Sequence, residues 1–258
     1  MLQETRLHRI RALLATLGHV STERIIKELG VSRETARRDI IELENSGAAR
    51  RVHGGLMAID AQPEPPLTVR SEIRAREKRA IARAAVSLLQ PGQTLFIDAG
   101  STTTMLAEEL RTMSGLTIIT NSLNAALKLS DAVEGEPLNN SIILLGGHML
   151  AGAQETRGDL TVEEIYRYRA DVAMLSPTGI DGKNGASSFH PYEAAIARAM
   201  VRQAGQAILL ADNSKLGVSS RMQYAGIKQI TALVTDSGAA ELPAFAELKQ
   251  VLPTVTVA

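Results

Sequence analysis

The chain has 258 residues, 45% of them apolar, and its 28 lysines and arginines balance 28 aspartates and glutamates, so overall charge points to no polyanionic partner. It contains no cysteine, which excludes disulfides and thiolate metal sites and is compatible with a reducing compartment. No apolar run approaches a membrane span and the opening MLQETRLHRIRALLATLGHV is too charged for a signal peptide, so a cytoplasmic protein is expected.

The charge is uneven along the chain. Up to residue 59 there are 10 basic residues against 7 acidic, leaving 18 against 21 for the remainder. Leu7, Ile10, Leu13, Leu14 and Leu17 recur at helical spacing and predict an amphipathic first helix ending at Gly18. Ser21 or Thr22 offers a cap to a short second helix whose apolar stripe is Ile25, Ile26 and Leu29, and Leu29-Gly30-Val31 is the turn. Ser32 caps a third helix running to about Glu44, with Ala36, Ile40 and Leu43 on one face. At 100° per residue, Glu34 and Arg38 stand opposite that face, flanked by Thr35 on one side and Arg33 and Arg37 on the other. Two short helices around a Gly-containing turn are the elements of a helix-turn-helix, and Arg50-Arg51-Val52-His53-Gly54-Gly55 suits a wing.

Arginines on such a face pair with phosphate oxygens and guanine edges of double-stranded DNA, while Glu34 and Asp39 restrain nonspecific binding or fix arginine rotamers. The alternative is an ordinary solvated face, for which the i, i+4 pair Glu34 and Arg38 is equally suited. The run VSRETARRDIIELENSGAARRVHGG resembles the N-terminal winged helix-turn-helix of the DeoR family of bacterial transcriptional regulators, matching at Ser32, Thr35, Arg37, Arg38, Asp39, Gly47, Arg51, His53, Gly54 and Gly55, with Ile40 for the family's leucine. The resemblance implies sequence-specific DNA binding through Ser32, Arg33, Glu34, Thr35, Arg37, Arg38, Arg50, Arg51 and His53.

Residues 60–66, DAQPEPP, are polar and proline-rich, which places a boundary between a DNA-binding domain at 1–59, a linker at 60–70 and a larger domain at 71–258. A helix is predicted from about Ser71 to Gln90, with Ile73, Ile81, Ala84, Leu88 and Leu89 as its apolar positions. Beyond it TLFID, LTIIT, SIILLG, DVAMLS, AILLAD, ITALVT and VTV alternate with helical stretches, the pattern of an α/β domain with a mainly parallel sheet. Ligands bind at the carboxyl ends of such strands. After the first run, Asp98-Ala99-Gly100-Ser101-Thr102-Thr103-Thr104 precedes a helix expected at Met105 to Leu110, and its amides and hydroxyls suit a phosphate; an ordinary cap with surplus threonines is the alternative. Asn121-Ser122, Gly146-Gly147-His148, Thr178 to Gly182 and Asp212 to Lys215 end later runs, so five polar strand ends are expected on one small-molecule rim. Taken singly, Lys215 reads as a surface lysine and Asp181 as a turn residue, and His190 is open between a cap, a satisfied histidine and a ligand contact. No His, Asp and Glu cluster has metal-ligand spacing.

FIDAGSTTTMLAEEL, TNSLNAA, LLGG, GID and DNSKLG resemble the effector-sensing domain of the same family. That resemblance implies a ribose-5-phosphate-isomerase-like fold and a sugar-phosphate effector, with Asp98, Gly100, Ser101, Thr102 and Thr103 as the phosphate loop and Asn121, Gly147, Asp181 and Lys215 lining the rest. It departs from the family pattern Glu-Ala-Glu-Val-Lys-Arg-Ala-Met at Ala195 and Ala197, where a glutamate and a lysine are missing. The expected function is a repressor of a carbohydrate catabolic operon, acting as a homo-oligomer, dimer or tetramer, with no catalytic residue and no cofactor. Two rival readings are a regulator sensing an unphosphorylated sugar acid and a sugar-phosphate isomerase with Glu193 or Asp181 as general base. Against the enzyme, Ala197 removes a cation that would stabilise an enediolate.

Overall fold

A computed structural model describes residues 2–17, 19–46, 48–52, 54–58, 67–131, 139–149 and 154–258. Gly47, His53 and the proline-rich run 60–66 lie outside the described residues. The chain divides into two compact units, Met1–Pro65 and Pro66–Ala258.

The first unit contains α1 (Gln3–Leu17), β1 (His19–Ser21), α2 (Thr22–Leu29), α3 (Arg33–Asn45), β2 (Ala49–Val52) and β3 (Gly55–Ala58). Helix α2 starts where the Ser21 hydroxyl accepts the Arg24 amide and stops at Gly30, whose φ of 62° is a left-handed cap that glycine adopts without a Cβ penalty. Helix α3 starts in the same way, with Ser32 Oγ accepting the Thr35 amide at 3.2 Å. The apolar stripes read from the sequence converge on one core of Ile10, Leu14, Val20, Ile25, Leu29, Ala36, Ile40, Leu43, Ala49 and Leu56.

Two features of this unit are tertiary. Strand β1 pairs antiparallel with β3, which pairs with β2, so the wing is part of a three-stranded sheet. The sequence reading took Val20 and Ser21 only as the approach to a helix cap, because three residues carry no usable alternation. Gly55 makes that pairing possible: a Cβ there would lie 2.2 Å from the Val20 carbonyl oxygen. The second feature corrects the role expected of Asp39, which does not share the outward face with Arg38. It is fully buried, and its carboxylate accepts Arg6 Nε at 2.7 Å and Arg6 Nη2 at 2.9 Å, a two-pronged pair that ties α1 to α3.

The second unit holds α4 (Leu67–Glu72), α5 (Ala75–Val86), β4 (Thr94–Ile97), α6 (Ser101–Leu110), β5 (Thr117–Thr120), α7 (Leu123–Leu129), β6 (Ser141–Leu144), α8 (Asp159–Ile165), β7 (Ala170–Leu175), β8 (Gly179–Asp181), β9 (Gly185–Ser188), α9 (Pro191–Gln203), β10 (Ala204–Leu210), β11 (Met222–Ala225), β12 (Ala232–Thr235), α10 (Pro243–Val251) and β13 (Thr254–Val257). Seven strands form a wholly parallel sheet in the order β13-β12-β10-β7-β4-β5-β6, and each grew from one of the seven runs read in the sequence. Both faces are covered: Leu95 and Ile97 of β4 pack with Ile81 of α5 and Leu106 of α6, whereas Phe96 packs with Ile165 of α8 and Met200 of α9.

Three expectations for this unit need correction. The helix predicted from Ser71 to Gln90 is two helices, because Arg74 adopts a left-handed φ of 55° between them. Strain of that kind in a non-glycine residue needs compensation. Here Arg74 Nη1 donates to Asn213 Oδ1 at 3.1 Å and Arg74 Nε lies 3.5 Å from Asp212, at the end of β10. The break also leaves Ile73 exposed, although it was read as an apolar contact. Residues 67–70, placed in the linker by the sequence, begin α4. Finally, Thr178 to Gly182 does not end a strand of the parallel sheet: β8, β9 and β11 form a separate antiparallel sheet.

Removing Asp39 takes away the buried carboxylate that holds Arg6, and with it the tether between α1 and α3. Asp39→Ala is therefore expected to lower the melting temperature of the first unit's transition and, with it, DNA affinity, in a thermal denaturation followed by a DNA titration at low temperature. An unchanged transition would show that α1 and α3 are held by packing alone.

Candidate DNA interface and effector site

Helix α3 puts Ala36, Asp39, Ile40 and Leu43 inside and leaves Ser32, Arg33, Glu34, Arg37 and Arg38 exposed, with Thr35 half-buried. Ser32 and Thr35 are committed to each other, their hydroxyls 2.8 Å apart at the helix start. Arg38 Nε lies 3.3 Å from Glu34 across one exposed turn. Arg33 and Arg37 form no ion pair among the described residues. They open, with Glu34, onto a cleft of about 1130 Å³ whose other walls are Ser21, Thr22 and Glu23 at the start of α2 and Arg51, Val52 and Gly54 of the wing.

The structure separates the two wing arginines. Successive strand residues face opposite ways, so Arg51 opposes Leu56 and joins the cleft, whereas Arg50 opposes Met57 and donates to its Sδ at 3.6 Å. The sequence reading treated them as equivalent. His53 lies outside the described residues. A helix of 13 residues with unpaired arginines along one side, flanked by a basic strand, has the shape and charge to enter a major groove.

In the second unit the winding of the sheet reverses between β4 and β7. From β4 the chain moves one way to β5 and β6, and from β7 the other way to β10, β12 and β13. At such a seam the connecting helices leave on opposite faces and open a crevice at the strands' carboxyl ends. Asp98 ends β4 there, and its Oδ2 accepts the Ser176 amide at the end of β7 at 3.0 Å. Its Oδ1 is buried and accepts no hydrogen bond. Burial drives its carboxyl up to about 7, the Ser176 amide and Thr103 hydroxyl oppose that rise, and the negative charges of Glu193 and Glu155 add to it.

Helix α6 begins at Ser101, four residues earlier than expected, so Ser101, Thr102 and Thr103 form its first turn and not a loop before it. Gly100, in extended backbone, supplies no side-chain cap, and an added Cβ would lie 3.2 Å from Thr103 Oγ1 and 3.5 Å from Ser176. Thr103 Oγ1 donates to the Asp98 carbonyl at 2.9 Å, which makes it a structural clasp. Ser101 Oγ is 2.9 Å from Nζ of Lys78, a buried cation on α5 whose ammonium also reaches the Arg70 carbonyl at 2.6 Å. The sequence reading missed Lys78, which stands more than twenty positions from the motif with no local pattern to mark it.

The remaining expected residues divide. Asn121 stands beside Asp98, one step past the pair Ile97 and Thr120, and Glu193 on the first turn of α9 acts on Asp98 while accepting Ser188 Oγ at 2.7 Å. Gly147 lies close against the start of α8, where an added Cβ would fall 2.0 Å from Thr161 Oγ1. Both carboxylate oxygens of Asp181 are used to close the β8–β9 hairpin, accepting the amides of Lys183 and Asn184 and the side chain of Asn184, which is the turn reading of that residue. Lys215 is half-buried in a 3-10 turn, Asn213–Lys215, after β10. His190 precedes α9 with no side-chain cap bond and stacks edge-on against Phe189 at 4.9 Å, with Arg221 over the same ring at 4.6 Å. Ala197 is buried in the core under α9, so the helix carries no cation one turn beyond Glu193. Tyr224 of β11, also missed from sequence, is buried with its hydroxyl unpartnered, and burial and the Asp98 charge hold its phenol well above its usual range. Among the described residues no group of His, Cys, Asp and Glu is placed to hold a metal ion, and no helix is long and apolar enough to cross a membrane.

Residues 6–62 match the DeoR-like helix-turn-helix domain and residues 73–237 match the DeoR C terminal sensor domain. The chain belongs to the DeoR family. It is 36% identical over 237 residues to the HTH-type transcriptional repressor GlcR of Bacillus subtilis, covering 92% of this chain and 89% of that one. It is 32% identical to the glycerol-3-phosphate regulon repressor of Escherichia coli over 92% of each chain, and 32% identical to the transcriptional repressor AccR of Agrobacterium fabrum over 91% and 90%. This DeoR-family chain is thus a DNA-binding transcriptional regulator and not an enzyme. Among solved structures, ribose 5-phosphate isomerase A of Methanocaldococcus jannaschii shares 16% identity with it at a TM-score of 0.38, over 54% of this chain and 52% of that one.

The Asp98 carboxyl gives the regulator a pH signature. Its folded pKa of about 7 lies above the ordinary 3.8, so between those values the folded state holds a proton that the unfolded chain has released. Stability contributed by this group is therefore greatest at the acid end and falls as pH rises toward about 7. Melting temperatures from about pH 4 to pH 8 are expected to show a steeper decline for the native protein than for Asp98→Asn, which has no proton to release. Parallel curves would mean that Asp98 titrates normally.

Proposed function

We propose that this regulator is a cytoplasmic repressor of a carbohydrate operon, that Arg33, Arg37 and Arg51 form its contact with operator DNA, and that a phosphorylated sugar held at the start of α6 controls it. The observation that supports the effector reading is the Lys78 ammonium on Ser101 Oγ at the uncapped start of a ten-residue helix. Helix amides, the positive end of the helix dipole and a buried cation together suit a phosphate dianion. Thr102, buried in the same turn, is the hydroxyl left for the ligand, since Thr103 is used by the backbone around it. The relative named for a glycerol-3-phosphate regulon agrees with a phosphorylated effector.

For DNA, the cleft geometry ranks the arginines. Homo-oligomers of this class place two recognition helices on successive half-sites, so each substitution acts twice in a dimer. Arg37→Ala is expected to weaken binding to the DNA upstream of the regulator's own coding region by about 1 to 3 kcal/mol per half-site and to relax specificity. Arg50→Ala, on the other face of the wing, is expected to lower affinity for specific and random DNA alike. Fluorescence anisotropy titrations at matched salt separate the two, and equal effects from both variants would remove the cleft from the interface.

For the effector, sugar phosphates and their unphosphorylated parents are to be compared by thermal shift on the full-length protein. Only phosphorylated compounds are expected to raise the melting temperature, and Thr102→Val is expected to cut that shift while DNA binding persists. A shift produced equally by the parents would overturn the phosphate site.

A further inference from the structure

Helix α4 is the first element of the second unit in chain order, directly after residues 60–66, and no buried apolar side chain holds it there. None of its six residues is buried, and Val69 and, just past its end, Ile73 are 46% and 42% exposed. A helix of that length does not persist on its own backbone hydrogen bonds. Side chains of later elements hold it instead. Lys78 of α5 sends its ammonium back across the helix break to the Arg70 carbonyl at 2.6 Å. At the break itself Arg74, strained at a φ of 55°, is held by Asn213 Oδ1 at 3.1 Å and by Asp212 at 3.5 Å, both beyond β10.

The Lys78 ammonium also lies 2.9 Å from Ser101 Oγ in the first turn of α6, so one buried cation joins α4 to α6. Its two acceptors there, a carbonyl and a hydroxyl, are neutral. An anionic oxygen within reach competes with both, because a charge-assisted hydrogen bond is about twice as strong as a neutral one.

We propose that α4 is a latch and Lys78 its bolt. Docked on Lys78 and Arg74, α4 fixes the point from which residues 60–66 leave the second unit. Drawing Lys78 off the Arg70 carbonyl releases that point and weakens the hold of paired DNA-binding units on an operator, since two linked modules lose effective concentration when the chain that positions them loosens. Lys78 and Arg74 are positioning residues, and neither belongs to the first unit. Control of the latch by an anion at α6 rests on the phosphate reading; the latch itself does not.

The test combines hydrogen exchange read by mass spectrometry with anisotropy titration of the DNA upstream of the regulator's own coding region, both on the full-length protein. In Lys78→Met the amides of residues 67–73 are expected to exchange at least about tenfold faster while those of β4 and β5 keep the native rate. The dissociation constant for the upstream DNA is expected to rise at least about tenfold in the same variant. Arg74→Ala breaks the latch from its other side and is expected to do the same, which keeps the test decisive if Lys78→Met does not fold. Native exchange at 67–73 in both variants overturns the proposal, as does faster exchange that leaves DNA affinity unchanged or that spreads equally to β4 and β5. Inorganic phosphate at matched ionic strength is expected to speed exchange at 67–73 in the native protein and to have no effect in Lys78→Met. If the variants behave as expected and phosphate does nothing, control by an anion fails and the latch stands.

Discussion

The Ser176 amide donating to Asp98 closes the one gap that a doubly wound sheet cannot avoid. Where β4 and β7 lie side by side, the chain leaves β4 toward one edge of the sheet and β7 toward the other. Asp98 spans that seam with one oxygen and leaves the other buried in the crevice. The first turn of α6 is aligned by the same residue, since the Asp98 carbonyl accepts Thr103 Oγ1. Around this point lie the start of α6, the buried Lys78 and two buried oxygens that accept no hydrogen bond.

The first unit solves a different problem. A recognition helix must present cations to solvent while staying fixed on a small core, ten buried apolar side chains among the described residues. Burying Asp39 against Arg6 adds a directional tether between α1 and α3 without using the outward arginines. Because Asp39 faces inward, it is not available to neutralise Arg33 or Arg37, and the exposed charge on that side of the helix stays net positive. Exposed acids such as Glu34 and Glu23 sit among the arginines and limit how strongly any polyanion is held regardless of sequence.

Sharing one structural vocabulary, the two units differ in how openly the sequence displays it. In the helix-turn-helix the informative residues are neighbours: Ser32 and Thr35 one turn apart, Gly30 at a left-handed cap, Arg37 one position from Arg38. In the sensing unit the partners are distant. Lys78 meets Ser101 across 23 positions, Ser176 meets Asp98 across 78, and Tyr224 belongs to a small antiparallel sheet whose strands show no alternation long enough to read.

The amino-acid sequence by itself determined the three helices of the first unit and, in order, the seven strands of the parallel sheet. The stripes of α1 to α3, the caps at Ser21 and Ser32, and seven short apolar runs destined for a parallel sheet are all patterns of period 3.6 or of buried strands, set by residues close together in the chain. It also set four hydroxyl residues in a row after Gly100, where α6 starts. Tertiary structure alone decided which side chains those elements share. It turned Asp39 inward and Arg50 away from Arg51, gave Asp181 to a turn and Gly147 to Thr161, broke one expected helix at Arg74, and brought Lys78 to Ser101. The reason is physical: local periodicity fixes which face of an element is apolar, but the partner of a buried charge or an unsatisfied oxygen is set by strand order and register, which no single segment encodes.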